Sequence, residues 1–385
     1  MLVGVCAALN DEERLLEATV RAFARDVLAP GAVERDEAER YDRSLFAAMG
    51  ELGLPGGPFP EAVGGAGLSS VAWTIVMEEL GAVDMAMAVS LSAHVLSQVP
   101  MVAFGTDEQR ARWLPGLQSG AGLAGFALTE PGAGSDAAAL RTLAVRDGDD
   151  YRLTGTKAWI TNAPEAERIL VFATVDAAAG SRGITAFVVE RSLAGVSIGA
   201  HERKMGIRAC PTAEVVLEDV RVTAADRLGG EGEGYRIALA SLGEGRISIA
   251  AACVGLARAG VEAAAAHLRE RVAFGKPLAE QQGLRFMLAE MARDVAAARA
   301  LTREAAAARD DGTLTPAASS LAKWVASDAA MRVATDAVQL FGATGYSRET
   351  GVERLMRDAK GAQIYEGTNQ IHREIVAAAA FDERR

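Results

Sequence analysis

The spacing of apolar residues changes twice along the chain and divides it into three zones. In residues 10–122, apolar side chains return every three to four positions, the period of an amphipathic helix. The first helix is predicted to open after Asn10 with an acidic turn. Further helices are predicted at residues 71–80 and 107–117. The first helix carries one apolar stripe, formed by Leu15, Val20, Phe23, Ala24, Val27 and Leu28.

The middle zone, residues 123–228, alternates apolar and polar positions, which is the period of a strand. Residues 140–145 and 151–154 flank an Asp-Gly pair at 147–148, which predicts a hairpin. Because no helical stretch separates the strands, the zone predicts an antiparallel sheet or a small barrel. The other predicted strands are residues 169–175, 184–189 and 213–222.

The last zone, from Tyr235 to Ala380, returns to the helical period. Its Ala-rich helices have similar lengths and short connections, which is typical of an antiparallel bundle. They are predicted at residues 246–271, 284–309 and 316–341. The fold class is therefore α+β, with a helical domain at 1–122, a β domain at 123–232 and a helical bundle at 233–385.

Composition narrows the range of partners and compartments. The chain has 385 residues, half of them hydrophobic, which is too many for one core. Its net charge is −11 and it has no basic run, so we expect no nucleic acid and no membrane as partner. Three scattered cysteines, Cys6, Cys210 and Cys253, and the lack of a predicted signal peptide favour a cytoplasmic protein. The four histidines lack metal-ligand spacing, so no metal is expected.

The main candidate for chemistry is Glu366, in the sequence IYEGTNQIHR at residues 364–373. Glu366 lies in a short break between two helical stretches, where local spacing gives it no partner. Thr368 can cap the next helix, and Gly367 lets another molecule approach the backbone. A capping role alone would also explain Glu-Gly-Thr. The upstream sequence LTEPGAGSD, residues 128–136, favours function, since its small residues permit a turn whose N–H groups face a ligand.

Taken together, these segments resemble the acyl-CoA dehydrogenase family over residues 10–381. The resemblance implies the family's fold, with an N-terminal helical domain, a central antiparallel β domain and a C-terminal four-helix bundle. It also implies FAD as cofactor and Glu366 as catalytic base. The residues that it implies for FAD are Phe126, Leu128, Thr129, Gly134, Ser135, Trp159, Ile160, Thr161, Arg271, Phe274, Gln282, Gln339, Gly342, Ala343, Thr368 and Gln370. Those that it implies for the substrate are Ser135, Glu244, Gly245, Arg246 and Gly367.

The segment around Gly245 offers a second position for the base. Glu244 and Arg246 are predicted to begin a long helix. An Arg at the positive end of the helix dipole is unfavourable by itself, so Arg246 is predicted to bind an anion. One branch of the family carries its base on this helix, at the position of Gly245. Glu244 is one residue away and points about 100° around the helix, so Glu366 is the better candidate. Lys157, in a predicted strand, is interpreted as a solvated charge.

The implied reaction is oxidation of a saturated, short-chain or branched acyl-CoA to the trans-2-enoyl-CoA. Glu366 takes the α-proton, a hydride goes to flavin N5, and electrons pass to an electron-transfer flavoprotein. Because Arg271, Gln282 and Gln339 are expected to serve a neighbour's FAD, the resemblance implies a homo-oligomer, most simply a dimer of dimers. The alternatives are the same chemistry on an acyl-carrier-protein thioester, an oxygen-using oxidase, a flavin monooxygenase and a non-catalytic binding protein.

Overall fold

The structure, a computed structural model, describes residues 9–381. Cys6 lies outside the described residues. The α-helices are α1 (Asp11–Phe23), α2 (Ala32–Glu37), α3 (Arg43–Glu51), α4 (Ser70–Gly81), α5 (Met85–Phe104), α6 (Asp107–Gln118), α7 (Gly234–Glu270), α8 (Gln282–Asp310), α9 (Pro316–Phe341), α10 (Ala343–Tyr346), α11 (Val352–Ala362) and α12 (Asn369–Phe381). The strands are β1 (Ala124–Ala127), β2 (Leu143–Asp147), β3 (Asp150–Thr161), β4 (Arg168–Thr174), β5 (Ile184–Glu190), β6 (Val196–His201), β7 (Thr212–Val222), β8 (Arg227–Leu228), β9 (Val272–Ala273) and β10 (Lys276–Pro277).

Helix α1 begins as the sequence predicts. The side chain of Asn10 accepts a hydrogen bond from the N–H of Glu13, whose carboxylate accepts one from the N–H of Asn10. The predicted apolar stripe is too wide, because Leu15 is 70% exposed and Val27 is 38% exposed. The buried line consists of Val20, Ala24 and Leu28, spaced four apart, since the chain continues from α1 as one π-helical turn at Ala24–Leu28.

Helices α4 and α6 match their predicted positions, whereas α5 was not separated from its neighbours in the sequence pattern. Helix α5 is apolar on almost every side, so it has no amphipathic period to read. Helices α5 and α7 are each long and apolar enough to cross a membrane. The most apolar windows of the two are 72% and 78% buried inside the protein, so both are core helices of a soluble fold.

The central strands form one sheet in the order β6-β7-β3-β2-β4-β5-β8, with β1 beside β4. Strands β2 and β3 form the predicted hairpin around the left-handed Gly148. Most pairs are antiparallel, as the sequence predicts, but β4 runs parallel to both β1 and β2. The reason is that β1 enters the sheet directly from the helical region, and the chain completes the β2–β3 hairpin before it returns as β4.

The long C-terminal helices α8 and α9 match their predictions, but α7 begins at Gly234, twelve residues earlier than predicted. Glu244, Gly245 and Arg246 therefore lie inside α7, and the prediction that they open the helix is wrong. Gly243 and Gly245 suggest a break, yet one interior glycine costs only about 1 kcal/mol, which packing offsets. Helices α11 and α12 pack on α9. Buried side chains of α1, α4 and α5 share one core with those of α7, α8 and α9.

Candidate active site

Glu366 lies in the turn between α11 and α12. Its backbone is left-handed at φ 56°, and Gly367 follows at φ 89°. The N–H of Asn369 donates to the carbonyl of Gln363 at 3.1 Å, which closes the turn on itself. The hydroxyl of Thr368 accepts from the N–H of Ile371 at 3.4 Å, the capping contact expected from the sequence. The turn therefore both starts α12 and presents Glu366.

Gly367 has no room for a side chain. A Cβ atom there would lie 3.2 Å from Cε1 and 3.3 Å from Nε2 of the His372 ring, in a backbone conformation that other residues seldom adopt. His372 is fully buried, and burial lowers the pKa of its ring to about 3, so the ring is neutral. The sequence analysis interprets Gly367 as a position where another molecule can approach the backbone. The neighbouring His372 ring is a second reason for a glycine at this position.

The carboxylate of Glu366 faces Gly245 on α7. A Cβ atom at Gly245 would lie 2.8 Å from Oε1 and 2.9 Å from Oε2 of Glu366. The two positions that the resemblance offered for the base are therefore adjacent in space, and a side chain at position 245 would have to displace the carboxylate of Glu366. The Oε2 atom is buried and has no hydrogen-bond partner within the described chain. It is free to accept a proton.

Burial raises the pKa of the Glu366 carboxyl to about 7, while the positive charges of Arg246 and Lys323 pull that pKa down. Arg246 is 8% exposed and donates to the hydroxyl of Ser320 at 3.2 Å. A carboxylate with a pKa near neutrality is a stronger base than an exposed one and is still ionised in a large fraction of molecules. This environment suits the removal of a proton from a weak acid.

Glu244 points elsewhere. Its Oε2 accepts from Nε of Arg309 on α8 at 3.0 Å, and its side chain is almost wholly buried. This is the consequence of the turn of about 100° between successive residues of a helix. Glu244 is thus a structural ion pair, which agrees with the preference for Glu366 as base and separates Glu244 from the reacting position.

The loop that begins at Leu128 is anchored by a buried ion pair. Lys157 on β3 is fully buried, and its Nζ donates to Oε1 of Glu130 at 2.7 Å and to the carbonyl of Leu128 at 3.3 Å. Glu130 also accepts from the hydroxyl of Thr142 at 2.5 Å and from two backbone N–H groups. The interpretation of Lys157 as a solvated charge is therefore wrong. It failed because β3 is covered on both faces there, which alternation does not reveal.

Strand β3 ends in a bulge that turns Trp159 outward. Trp159 is left-handed at φ 60° and 59% exposed, which leaves a flat apolar surface beside the loop. Asn162, at φ 69°, fixes the bulge by donating to the carbonyls of Ser90 on α5 and Ala124 on β1. Sequence reasoning missed Asn162, although an Asn after a strand is a residue that tolerates a left-handed backbone.

Fourteen of the sixteen residues predicted to bind FAD separate into two groups in one chain, and the other two lie beside Glu366. The first group lies around the loop and the end of β3, where Leu128 and Ile160 are buried and the others are at least partly exposed: Phe126, Leu128, Thr129, Gly134, Ser135, Trp159, Ile160 and Thr161. A Cβ atom at Gly132 or Gly134 would meet nothing within 4 Å, so the loop backbone is open to a ligand. Thr368 and Gln370 lie at the start of α12, beside Glu366.

The second group gathers at the opposite end of α9 from Glu366. The His267 and Phe341 rings stack with centroids 4.2 Å apart, which holds the ends of α7 and α9 together. Lys323, which contacts the Glu366 turn, and Gln339 are sixteen residues apart on α9, or about 24 Å at 1.5 Å per residue. The members of this group are all at least partly exposed: Arg271, Phe274, Gln282, Gln339, Gly342 and Ala343.

Comparison with known proteins identifies the family. Residues 10–121 match the acyl-CoA dehydrogenase N-terminal domain, residues 125–220 the middle domain and residues 232–381 the C-terminal domain. The chain belongs to the acyl-CoA dehydrogenase family. Members of this family are FAD-dependent flavoproteins, so FAD is the cofactor, and the exposed Trp159 surface and the open loop at residues 131–135 fit a flat, phosphate-bearing group.

Relatives within the family cover nearly the whole chain. An acyl-CoA dehydrogenase of Bacillus subtilis is 42% identical over 96% of this chain and 98% of its own length. The short-chain specific acyl-CoA dehydrogenase of Megasphaera elsdenii is 42% identical over 93% of this chain and 94% of its own. The structure of butyryl-CoA dehydrogenase from Megasphaera elsdenii superposes with a TM-score of 0.95 at 40% identity, covering 98% of this chain and 100% of that one.

Proposed function

We propose that this acyl-CoA dehydrogenase oxidises a short, saturated acyl-CoA to the trans-2-enoyl-CoA, with Glu366 as the base that removes the α-proton. The observation that carries the proposal is the Oε2 atom of Glu366, which is buried, unpartnered within residues 9–381 and part of a carboxyl whose pKa burial raises to about 7. Relatives at about 40% identity are described as short-chain specific, which supports a short acyl group.

The α-carbon of a thioester is a far weaker acid than a carboxylic acid, so the site has to narrow the difference between the pKa of the substrate and that of Glu366. The raised pKa of Glu366 does part of this by making the carboxylate more basic. FAD, when bound, would supply the acceptor for the hydride that leaves the β-carbon. Gly245 keeps the space in front of the carboxylate free of any side chain. Arg246 and Gly367, beside Glu366, are the proposed contacts for the substrate, and Ser135 is the proposed contact on the loop.

The assembly proposed for this enzyme is a homo-oligomer, most simply a dimer of dimers, in the cytoplasm. The support is the distance of about 24 Å along α9 between the Glu366 turn and Gln339. Residues so far from the base can serve a cofactor more readily in a neighbouring subunit than in their own. Phe274 at the same end is 94% exposed, as expected of a side chain that meets another molecule.

The proposed electron acceptor is an electron-transfer flavoprotein. A chain solved in work on the electron transferring flavoprotein of Acidaminococcus fermentans superposes with a TM-score of 0.96 at 42% identity, covering 98% of this chain and 100% of that one. The alternatives of an acyl-carrier-protein substrate or an oxidase are not favoured. The prolyl acyl carrier protein oxidase AnaB is 32% identical to this chain, less than the CoA enzymes above.

Anaerobic reduction of the flavin by butyryl-CoA tests the proposal. The wild type is expected to lose its flavin colour on mixing. Glu366→Gln keeps the size of the side chain but cannot accept the proton, so its reduction rate should fall by a factor of at least about 10² to 10⁴. Glu244→Gln is the matched control, because that carboxylate is paired with Arg309, and most of the rate should remain.

Two results would contradict the proposal. If Glu244→Gln abolished flavin reduction while Glu366→Gln spared it, the base would lie on α7. If the wild type reduced its flavin with long-chain acyl-CoA much faster than with butyryl-CoA, the assignment of a short substrate would be wrong.

A further inference from the structure

Helix α9 carries a buried lysine directly against the catalytic turn. Lys323 is completely buried, and its Nζ donates to the carbonyl of Gly367 at 2.7 Å and to Oδ1 of Asn369 at 3.2 Å. Within residues 9–381 it forms no ion pair with a carboxylate. A buried ammonium without a paired carboxylate is costly to keep, so burial lowers the pKa of Lys323 to about 8, which leaves it mostly protonated at pH 7. A lysine at this position therefore calls for a role that a neutral residue would not fill.

The first thing that Lys323 does is to hold the backbone after the base. The carbonyl that it contacts belongs to Gly367, and Glu366 and Gly367 are consecutive left-handed residues. A left-handed backbone is unfavourable for a glutamate, so it persists only where the surroundings enforce it. The hydrogen bond from Lys323 fixes the orientation of the peptide group between Gly367 and Thr368, and with it the direction of the preceding side chain.

The rest of the contact surface on α9 holds both ends of the same turn. Asn369 donates to Oγ of Ser327 at 3.0 Å and to Oδ1 of Asp328 at 2.8 Å. Gln363, at the other end of the turn, donates to the same Asp328 oxygen at 2.6 Å. Lys323 is the cation of this set, and it contacts the middle of the turn. Helix α9 therefore acts as a rigid support beneath Glu366.

The charge of Lys323 acts on the base as well. The charged groups that act on Glu366 are Arg246 from α7 and Lys323 from α9, and both pull the pKa of the carboxyl down against the effect of burial. The other titratable groups around it are neutral. Burial lowers the pKa of His372 on α12, raises the pKa of Tyr365 in the turn, and raises the pKa of Cys253 on α7. Asp328 on α9 accepts hydrogen bonds from Gln363 and Asn369, pairs with Arg373 at 3.7 Å, and acts on Lys323 and not on Glu366.

We propose that Lys323 is a positioning residue for the proton-transfer step, which holds Glu366 in its reactive conformation through the Gly367 carbonyl and keeps its carboxylate ionised through its positive charge. The proposal rests on Glu366 being the base. It assigns to one side chain both the geometry of the base and the pH range in which the base works.

The test is the pH dependence of anaerobic flavin reduction by butyryl-CoA in Lys323→Met and Lys323→Gln holoenzyme. The rate rises with pH as Glu366 loses its proton. Loss of a nearby cation should move the midpoint of that rise upward by about one pH unit or more. The fraction of ionised Glu366 at pH 7, and with it the rate, should fall at least about fivefold, with this part of the deficit shrinking at higher pH. Lys323→Gln retains a hydrogen-bond donor without the charge and should lose less rate at high pH than Lys323→Met.

Lys360→Met is the matched control. Lys360 is an exposed lysine on α11 that donates to Oε1 of Gln363 at 2.9 Å, so the same charge is removed beside the same turn but in solvent. Its midpoint should coincide with that of the wild type. FAD content is measured for every variant. If Lys323→Met does not retain FAD, the pH midpoint of flavin reduction in Lys323→Gln is the deciding measurement.

The outcomes separate this proposal from the assignment of the base. A midpoint that does not move in the lysine variants overturns the effect of the Lys323 charge on the base, and a Lys323→Met rate equal to that of the wild type at high pH overturns its positioning role, provided that Glu366→Gln abolishes reduction. If Glu366→Gln still reduces the flavin, the base is misassigned and the proposal for Lys323 falls with it.

Discussion

At the scale of single residues, Glu366 is placed at a cost to the fold. Burial raises the pKa of its carboxyl from 4.5 to about 7, so the folded protein binds that proton more tightly than the unfolded chain does. Such a group makes the fold less stable as pH rises from about 4.5 to about 7. The left-handed backbone at φ 56° adds to the cost.

Glu366→Gln should therefore stabilise the enzyme while it abolishes activity. At pH 8 the gain should approach about 3 kcal/mol, because each pKa unit is worth about 1.4 kcal/mol, and it should shrink toward zero near pH 4.5. Thermal unfolding of the substrate-free holoenzyme at several pH values measures it. Glu244→Gln, which disturbs a paired carboxylate, should show no such gain. A Glu366→Gln enzyme that melts no higher than the wild type at pH 8 would contradict the argument.

The residue scale also marks the limit of the sequence. The sequence pattern identifies three candidate site residues: Glu366 in a helix break, Thr368 as a helix cap and Trp159 in a strand. The structure places Glu366 and Thr368 in one turn. The pattern does not identify Lys157 or Lys323. A lysine in a strand or on a helix is predicted to be exposed to solvent unless the elements that cover it are known. Both are completely buried, one paired with Glu130 and the other bound to a backbone carbonyl.

At the scale of elements, helix α7 provides the surface that the carboxylate of Glu366 faces. Its start was predicted twelve residues too late, because Gly243 and Gly245 resemble a break in the sequence. The two glycines differ in what surrounds them. A Cβ atom at Gly245 would contact the carboxylate oxygens of Glu366 at 2.8 and 2.9 Å, whereas one at Gly243 would meet only Leu314, at 3.6 Å. The contact with Glu366 in three dimensions distinguishes Gly245 from Gly243, and the sequence does not show it.

A pair of alanine substitutions tests this difference. Gly245→Ala should push the Glu366 carboxylate out of place and lower the rate of flavin reduction by about tenfold or more. Gly243→Ala should leave the rate near that of the wild type and stabilise α7 by up to about 1 kcal/mol, since alanine is the better helix former. Stopped-flow reduction and thermal unfolding measure the two effects. Equal rates in the two variants would mean that the methyl group at Gly245 is accommodated without moving the base.

At the scale of the whole molecule, the zones of helix, strand and helix were predictable because their periods differ. The pattern could not show that helices before and after the sheet share one core, or that β4 is parallel to β1 and β2, since both depend on long-range packing. The separation of the predicted cofactor residues into two groups is also invisible in sequence. It follows from the packing of α7, α8 and α9, which brings the end of α7, the start of α8 and the end of α9 together, away from the Glu366 turn.

Arg271→Ala tests whether the far end of α9 serves a neighbour's FAD. The purified variant should retain clearly less than one FAD per chain, as read from its visible absorbance, while its circular dichroism matches that of the wild type. Arg269→Ala, an exposed arginine two residues earlier at the same helix end, is the control and should retain FAD normally. A monomer that holds a full complement of FAD in light scattering would argue against a shared site.

The span of α9 has a consequence for how this protein can diverge. One residue inserted between Lys323 and Gln339 would rotate one end of the helix by about 100° and shift it by about 1.5 Å relative to the other. Substitutions that keep the helix would leave both ends in register, whereas a single insertion or deletion would disturb the support beneath Glu366 or the surface around Gln339. We therefore expect length changes among descendants of this sequence to collect in the connection at residues 311–315, and α9 to keep its length.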